Sequence, residues 1–271
     1  MPTISLITAT YNAESTISDC LQSVATQTYP PVEHIIIDGA SIDNTLNIVQ
    51  SLRLVVQESE SRQAPSFFSP ITRIISETDN GIYDAMNKGI ALVTGEVIGI
   101  LNADDFYASA DVLAKVAAVF ENPAVMCCYG DLEYVREQQG DGFKVVRYWQ
   151  SGTCTSQSWY WGWMPPHPTF FVRKSVYEKY GKFRLDLGTA ADYELMLRLL
   201  LNKGISCCYI PEVLVRMRLG GASNRSIAAR LKANRMDRKA WEVNGLIPYP
   251  WTLVCKPLRK IVQFAPTKKA S

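Results

Sequence analysis

Through the first 130 residues, short apolar runs of strand length alternate with segments whose apolar residues recur at helical spacing, which restricts the chain to an α/β architecture. Residues 4–9 are largely apolar, and Ile17, Cys20, Leu21 and Val24 follow at i, i+3, i+4 and i+7. His34-Ile-Ile-Ile-Asp38 predicts a second strand, with His34 at its start read as a surface residue, before a turn rich in Gly, Ser, Asp and Asn and a helix from about Thr45. A polar loop at 57–69 leads to a strand at 72–75, a helix at 82–92 and a strand at 96–101. Val112, Leu113, Val116, Val119 and Phe120 mark another helix, and 124–129 another strand. Strands that are apolar at nearly every position are covered on both faces, which predicts a mostly parallel sheet between helices. Ligands of such sheets bind beyond the carboxyl ends of the strands.

After Gly130 the pattern changes. Short aromatic strands at 143–149 and 169–172 flank the Trp- and Pro-rich segment 159–168. A helix at 192–201, strands at 205–210 and 213–219, and a basic helical end from about Ser223 follow. We expect a main domain over 1–215, with a nucleotide-binding half to about 130 and an acceptor half from 131, and a C-terminal extension over 216–271. With 47% hydrophobic residues in 271, disordered and collagen-like classes are excluded. No apolar run approaches the ~20 residues of a membrane-spanning helix, and the N-terminus shows no export signal. The seven cysteines fall in no C-x-x-C spacing, and the adjacent pairs Cys127-Cys128 and Cys207-Cys208 read as small core hydrophobes of a cytoplasmic, reduced protein.

Net charge is only +2, yet from Val215 onward the chain carries 13 Lys and Arg against two acids, and before it 15 basic against 24 acidic side chains. An acidic body with a basic end points to an anionic contact for that end: phosphates, a membrane surface or nucleic acid.

Four polar clusters fall at predicted strand ends. Thr8-Ala9-Thr10-Tyr11-Asn12 offers an aromatic that either stacks on a base or merely ends the strand. Asp38-Gly-Ala-Ser-Ile-Asp43 offers a carboxylate for a base edge or ribose, or an Asx turn, with Asp43 or Asn44 capping the next helix. In Glu77-Thr-Asp-Asn-Gly-Ile-Tyr-Asp84-Ala-Met-Asn87-Lys88-Gly89, Asp84 and Lys88 have the i, i+4 spacing of a helical ion pair. Tyr83 and Asn87 project from that same helix end toward the ligand crevice. Asn102-Ala103-Asp104-Asp105 follows an apolar strand, where adjacent acids are costly to desolvate without a cation; the alternative is a solvated turn.

Taken together and in this order, the clusters resemble the family 2 glycosyltransferases of the GT-A fold, and most closely bacterial enzymes that build polysaccharides or glycolipids. The resemblance implies a GT-A-like sandwich and an inverting, metal-dependent transfer of a sugar from a nucleotide-diphosphate-sugar, a UDP-sugar being favoured, to a glycan or lipid-linked acceptor. Nucleic acid is not an implied partner. It further implies that Ala9, Thr10, Tyr11, Asn12, Asp38, Asp43, Asp84, Lys88, Asn102, Ala103 and Asp104 contact the donor. Asp104, supported by Asp105, would hold Mg²⁺ or Mn²⁺, since the first acid of the family's Asp-X-Asp motif is Asn102 here.

In the second half, Thr189-Ala-Ala-Asp192-Tyr-Glu194 resembles the family's acidic motif with Asp192 as general base, although the usual preceding acid is Ala191. A sugar hydroxyl must lose its proton as the anomeric bond breaks, and a positioned carboxylate can take it. Weaker candidates for acceptor or diphosphate contacts are His167, Glu194 and Arg218, with Arg225 in the same Gly-containing loop as Arg218. Trp159, Trp161 and Trp163 either stack on sugars or pack as core or lid. At the basic end, Leu258, Ile261 and Val262 lie on one side and Arg259, Lys260 and Gln263 partly opposite. That segment is either an interfacial anchor at the inner face of an anionic plasma membrane or a helix packed on its own domain. Two rival readings remain: a sugar-1-phosphate nucleotidyltransferase, for which 10–14 lacks a Gly-rich basic loop, and a catalytically silent membrane-associated binding protein.

Overall fold

The computed structural model describes residues 1–60, 71–138, 142–219 and 227–263. Among the described residues it forms one mixed sheet of nine strands in the order β3-β2-β1-β4-β8-β6-β9-β5, with β7 paired to β6. The N-terminal part is parallel: β1 (Ile4–Thr10), β2 (Glu33–Asp38), β3 (Ile71–Ser76) and β4 (Val97–Ile100) run side by side. All seven residues of β1 and all six of β2 are buried, as strands between two helical layers must be. The helices are α1 (Ile17–Ala25), α2 (Thr45–Glu60) and α3 (Ile82–Leu92). Gly89 lets α3 lie directly on β1, because a Cβ there would stand 2.5 Å from Ile7 Cγ2.

From β4 onward the pairing becomes mixed. Strand β5 (Asp105–Tyr107) pairs antiparallel with β9 (Cys207–Arg218), α4 (Val112–Phe120) covers the sheet, and β6 (Cys127–Glu137) runs parallel to β9 and antiparallel to β7 (Phe143–Trp149) and β8 (Phe171–Arg173). Short helices α5 (Ser156–Tyr160) and α6 (Lys174–Tyr180) precede α7 (Ala191–Met196), which continues as a π-helical turn over Leu197–Asn202. The chain ends in α8 (Ile227–Val243) and α9 (Thr252–Val262).

Three expectations change. The strands predicted at 205–210 and 213–219 are one strand, β9, whose register with β6 shifts near Pro211. Residues 57–60, expected in a loop, extend α2, while the rest of that loop lies outside the described residues. His34 is fully buried rather than on the surface, because β2 is covered on both faces and Thr8 Oγ1 lies 2.8 Å from its Nε2. Residue 215 falls inside β9, and Ala240, Trp241 and Leu253 of the C-terminal helices belong to the same apolar cluster as Tyr193 and Trp159. Among the described residues no helix is long and apolar enough to cross a membrane.

Candidate active site

Beyond Thr10 the chain turns at Asn12, whose φ of 49° lies in the left-handed region. Asparagine tolerates that conformation when its side chain bonds locally. Its Oδ1 accepts from the Ile42 N–H at 2.9 Å, and its own N–H donates to Ser41 Oγ at 2.9 Å. The turn lifts Tyr11 into solvent, 62% exposed. Beneath it, buried Asp38 accepts from the Ser41 N–H at 3.0 Å, the Ser76 hydroxyl at 2.6 Å and the Ser41 hydroxyl. A carboxylate has about four lone-pair sites, so these three donors leave one unused. Asp43 is tied up in scaffolding: Oδ1 accepts from the Thr45 N–H at 3.0 Å, and Oδ2 from the Glu14 N–H at 3.1 Å, which fixes α2 to the turn after β1.

Sequence reasoning passed over Asp79. A Cβ on Gly39 would stand 2.7 Å from Asp79 Oδ2 and 3.4 Å from the Tyr11 ring, so this carboxylate borders the same cleft. The signal was Gly39 itself, which admits the close approach. On α3, Asp84 accepts from the Asn80 N–H at 3.0 Å. Lys88 binds Glu77 at 2.9 Å and the Thr78 carbonyl at 3.0 Å, so both residues brace the turn before their own helix.

The acid cluster joins β4 to β5. Asp105 is fully buried, and its Oδ2 accepts from Asn102 Nδ2 at 3.3 Å. Burial and the neighbouring Asp104 charge push the Asp105 carboxyl well above the ordinary range, and burial raises Asp104, with Arg218 opposing both shifts. The buried oxygens Asp105 Oδ1, Asn102 Oδ1 and Thr10 Oγ1 find no hydrogen-bond partner among the described residues. Ala9 and Ala103 are buried beside them in the strand and the turn. Among the described residues no group of three or more His, Cys, Asp or Glu side chains is gathered to hold a metal. A hard cation bound through one or two carboxylates plus phosphate oxygens needs no such group, and the Asp105 carboxylate with its unpartnered Oδ1, beside half-buried Asp104, fits that donor set.

Arg218, expected as a phosphate ligand in an open loop, instead lies in β9 as a brace. It donates to the Asp104 carbonyl at 3.2 Å, pairs with Asp19 and with Glu137 at 3.3 Å, and lies 5.1 and 5.0 Å from the rings of Phe106 and Phe143, which pack on each other. Arg225 lies outside the described residues.

Across the crevice, Asp192 sits in the first turn of α7, half-buried, its Oδ1 accepting its neighbour's N–H (Tyr193) at 2.7 Å. The Tyr83 phenol of α3 lies near that carboxylate; burial first, and then the Asp192 charge, push its pKa well up. Tyr83 also packs on Phe183 at 5.3 Å, and Phe183 on the half-buried His167 at 5.7 Å. Burial lowers the His167 pKa while the Asp192 charge pulls the other way. Glu194, expected as a ligand, is corrected to a core residue: it is 1% exposed, and Arg198 meets it bidentately at 2.9 and 3.1 Å while Asn244 donates at 3.1 Å. Arg198 also donates to the carbonyls of Tyr180, Gly181 and Lys182. Asn87 grips the next residue from the donor side, donating to the Phe183 carbonyl at 2.9 Å and accepting its N–H at 3.0 Å. The strap 180–183 therefore joins the donor-side helix to the helix that carries Asp192.

One further residue was missed. Half-buried Tyr134, with the Arg147 guanidinium 3.6 Å over its ring, has its pKa raised by burial; Arg147 opposes this, and the charges of both Asp105 and Asp192 add to it. The charges of the acid cluster and of Asp192 thus both reach Tyr134. Of the three tryptophans, Trp159 and Trp163 are core, and only Trp161 is exposed.

A parallel nucleotide-type half, an acid cluster at a strand end and a carboxylate on the facing helix define a sugar-nucleotide-dependent class of transferase. The family model "Glycosyl transferase family 2" matches residues 5–181, and the chain belongs to that family; it is a glycosyltransferase with a GT-A-like fold. The nucleotidyltransferase reading is thereby set aside. A "PGL/p-HBAD biosynthesis glycosyltransferase" of Mycobacterium tuberculosis (strain ATCC 25177 / H37Ra) is 30% identical over 228 residues, covering 82% of this chain and 80% of that one. Staphylococcus aureus TarS 1-349 in complex with UDP-GlcNAc superposes with a TM-score of 0.64 at 17% identity, over 89% of this chain and 66% of that one. The mannosyltransferase PcManGT of Pyrobaculum calidifontis, solved with GDP-Man and Mn²⁺, gives 0.62 at 19%, over 94% and 69%. The chain spans 39% of the longer TarS chain.

Proposed function

We propose that the protein transfers a sugar, with inversion, from a nucleotide-diphosphate-sugar, a UDP-sugar first among them, to a hydroxyl of a glycan or lipid-linked acceptor in bacterial cell-surface synthesis. The observation that carries this is the acid cluster at the strand ends, where buried Asp105 Oδ1, Asn102 Oδ1 and Thr10 Oγ1 lack a partner among the described residues, in a chain that the family model matches over residues 5–181. Tyr11 stacks on the base, and Asp38 accepts one of its N–H groups. Asp104, with Asp105 and the Asn102 amide oxygen in support, would hold Mg²⁺ or Mn²⁺. Bound there, such a cation offsets the charge of the diphosphate leaving group.

Asp192 takes the proton of the acceptor hydroxyl while that oxygen attacks the anomeric carbon. The bond from that carbon to the diphosphate oxygen breaks on the opposite side, and the configuration inverts. Tyr83 orients the carboxylate. The curated relative's part in PGL/p-HBAD biosynthesis and the donors in the solved relatives support the substrate class. We place the protein at the cytoplasmic side, peripheral to the membrane.

A panel of nucleotide-sugars scored by thermal shift with and without Mn²⁺ tests the donor reading, because a ligand bound only by the native state raises its stability by mass action. One sugar nucleotide should stand out, and only with the cation. A flat panel overturns the reading, as does absence of sugar turnover with the nucleotide that binds.

A further inference from the structure

Helix α9 packs on the domain and at the same time presents an apolar stripe. Its start is fixed by Thr252, which is buried and donates to the Tyr160 carbonyl at 2.7 Å, with Leu253 also buried. The backbone of Lys256 lies directly against Gly162, and Lys256 Nζ pairs with Asp237 at 2.8 Å and sits 3.4 Å over the Tyr193 ring. Just past the far end of the helix, the Gln263 carbonyl accepts from the Tyr148 N–H at 3.0 Å. A helix held along its length by polar contacts has little freedom to turn its outward side inward.

That outward side is apolar. Trp251, Val254 and Leu258 follow one another at spacings of three and four, which puts them on one face. Trp251 packs on Trp161 at 5.8 Å and on Tyr249 at 5.1 Å. These five side chains are between 44% and 56% exposed. Isolated exposed apolar residues are ordinary, but a contiguous patch that includes two tryptophans and a tyrosine marks a contact surface. Its charge setting narrows the partner. After Glu242 the chain carries five Lys and Arg and no acid, and exposed Arg259 directly follows Leu258. Tryptophan and tyrosine at a polar boundary, flanked by cations, match the headgroup layer of an anionic bilayer.

We propose that Trp161, Tyr249, Trp251, Val254 and Leu258 seat on an anionic lipid bilayer. The surface begins on the acceptor side of the catalytic domain, because Trp161 follows Tyr160, which packs on Trp241, whose indole N–H bonds the hydroxyl of Tyr193 beside Asp192. Docking there brings a membrane-held acceptor to the base and leaves the donor cleft open to water. The proposal does not depend on which sugar is transferred.

The test is co-sedimentation of the full chain with phosphatidylcholine vesicles containing about one-third phosphatidylglycerol, at low salt and at about 0.5 M salt. Tryptophan quenching by brominated acyl chains is read in parallel. Wild type should bind the anionic vesicles, release in high salt and be quenched. The Trp251→Ser/Leu258→Ser variant should bind about tenfold more weakly and lose most of the quenching, while Arg259→Glu should weaken sedimentation alone. Nucleotide binding checks that both variants are folded. Absence of sedimentation at low salt overturns the proposal, as does sedimentation without quenching, which would mean a purely electrostatic tail. A concentration-dependent dimer in wild type that the double variant abolishes would also overturn it, with a second copy as the occupant.

Discussion

At the carboxyl ends of β1 and β4, Thr10 Oγ1, Asn102 Oδ1 and Asp105 Oδ1 are buried and unpartnered among the described residues, whereas across the crevice both oxygens of buried Glu194 are bonded. The donor-side cluster is polar and incomplete; the Glu194 site is locked. A buried polar atom left unpaired costs about 1–3 kcal/mol, so the donor end is built to be completed by something that arrives. On the acceptor side, Glu194 and Arg198 instead use their polar groups on each other and on the strap they grip. Breaking such a pair from one side costs about 3–5 kcal/mol. A base must stand at a fixed place before the acceptor comes, while a metal and diphosphate can bring their own ligands.

Asp192→Asn should break this division most sharply. The change keeps the size of the side chain and removes its proton-accepting charge, so transfer should fall by roughly 10²–10⁴-fold while nucleotide affinity stays as in wild type. Initial rates and calorimetry on the same preparation decide it. Wild-type turnover would move the base elsewhere, with His167 next to examine.

Asp104→Ala probes the open half. In wild type, Mn²⁺ should tighten nucleoside diphosphate binding, and the variant should lose that gain by at least the ~10²-fold that removal of an outer-shell partner alone can cost a metal site. Equal, cation-independent binding in both proteins would remove the acid cluster from the donor site.

Asn87→Ala tests whether the two halves are coupled through the strap. Loss of its paired hydrogen bonds with Phe183 should lower kcat by about tenfold through misplacement of Asp192 and leave the donor KM unchanged. A rise in donor KM with kcat unchanged would make Asn87 a donor ligand instead.

The parallel half was largely legible in the sequence because a strand buried on both faces, such as Ile4–Thr10, carries its signal in every residue. The acid cluster was legible for a related reason: two adjacent carboxylates after an apolar strand have few structural uses. What escaped were contacts between residues far apart in the chain. Asn87 and Phe183 are 96 positions apart, and nothing local in Asn-Lys-Gly tells a ligand from a clamp. Glu194 looked available because its partner Arg198, one helical turn on, reads equally well as a surface pair; only the burial of Glu194 and the three carbonyls around Arg198 decide otherwise. Arg218 looked mobile because its neighbours are glycines, yet the ladder with β5 ends beside it, at Met217, and fixes that end of β9.

His34 carries the comparison to its smallest effect, one read in stability rather than catalysis. His34 is sealed under the donor sheet with Thr8, and burial lowers its pKa from 6.5 to about 3. The unfolded chain takes up a proton as pH falls through about 6.5, and the folded chain does not until about 3. Between those values the unfolded state holds more protons, so this residue withdraws stability as pH falls, at up to ~1.4 kcal/mol per pH unit. His34→Gln, which keeps a hydrogen-bonding partner for Thr8 and cannot titrate, should remove that slope. Denaturant midpoints of both proteins at about pH 6 and about pH 5 should diverge by about 1 kcal/mol, with wild type losing more. Parallel loss in the two proteins would mean that His34 is already protonated in the fold, and that the donor half admits water beneath its sheet.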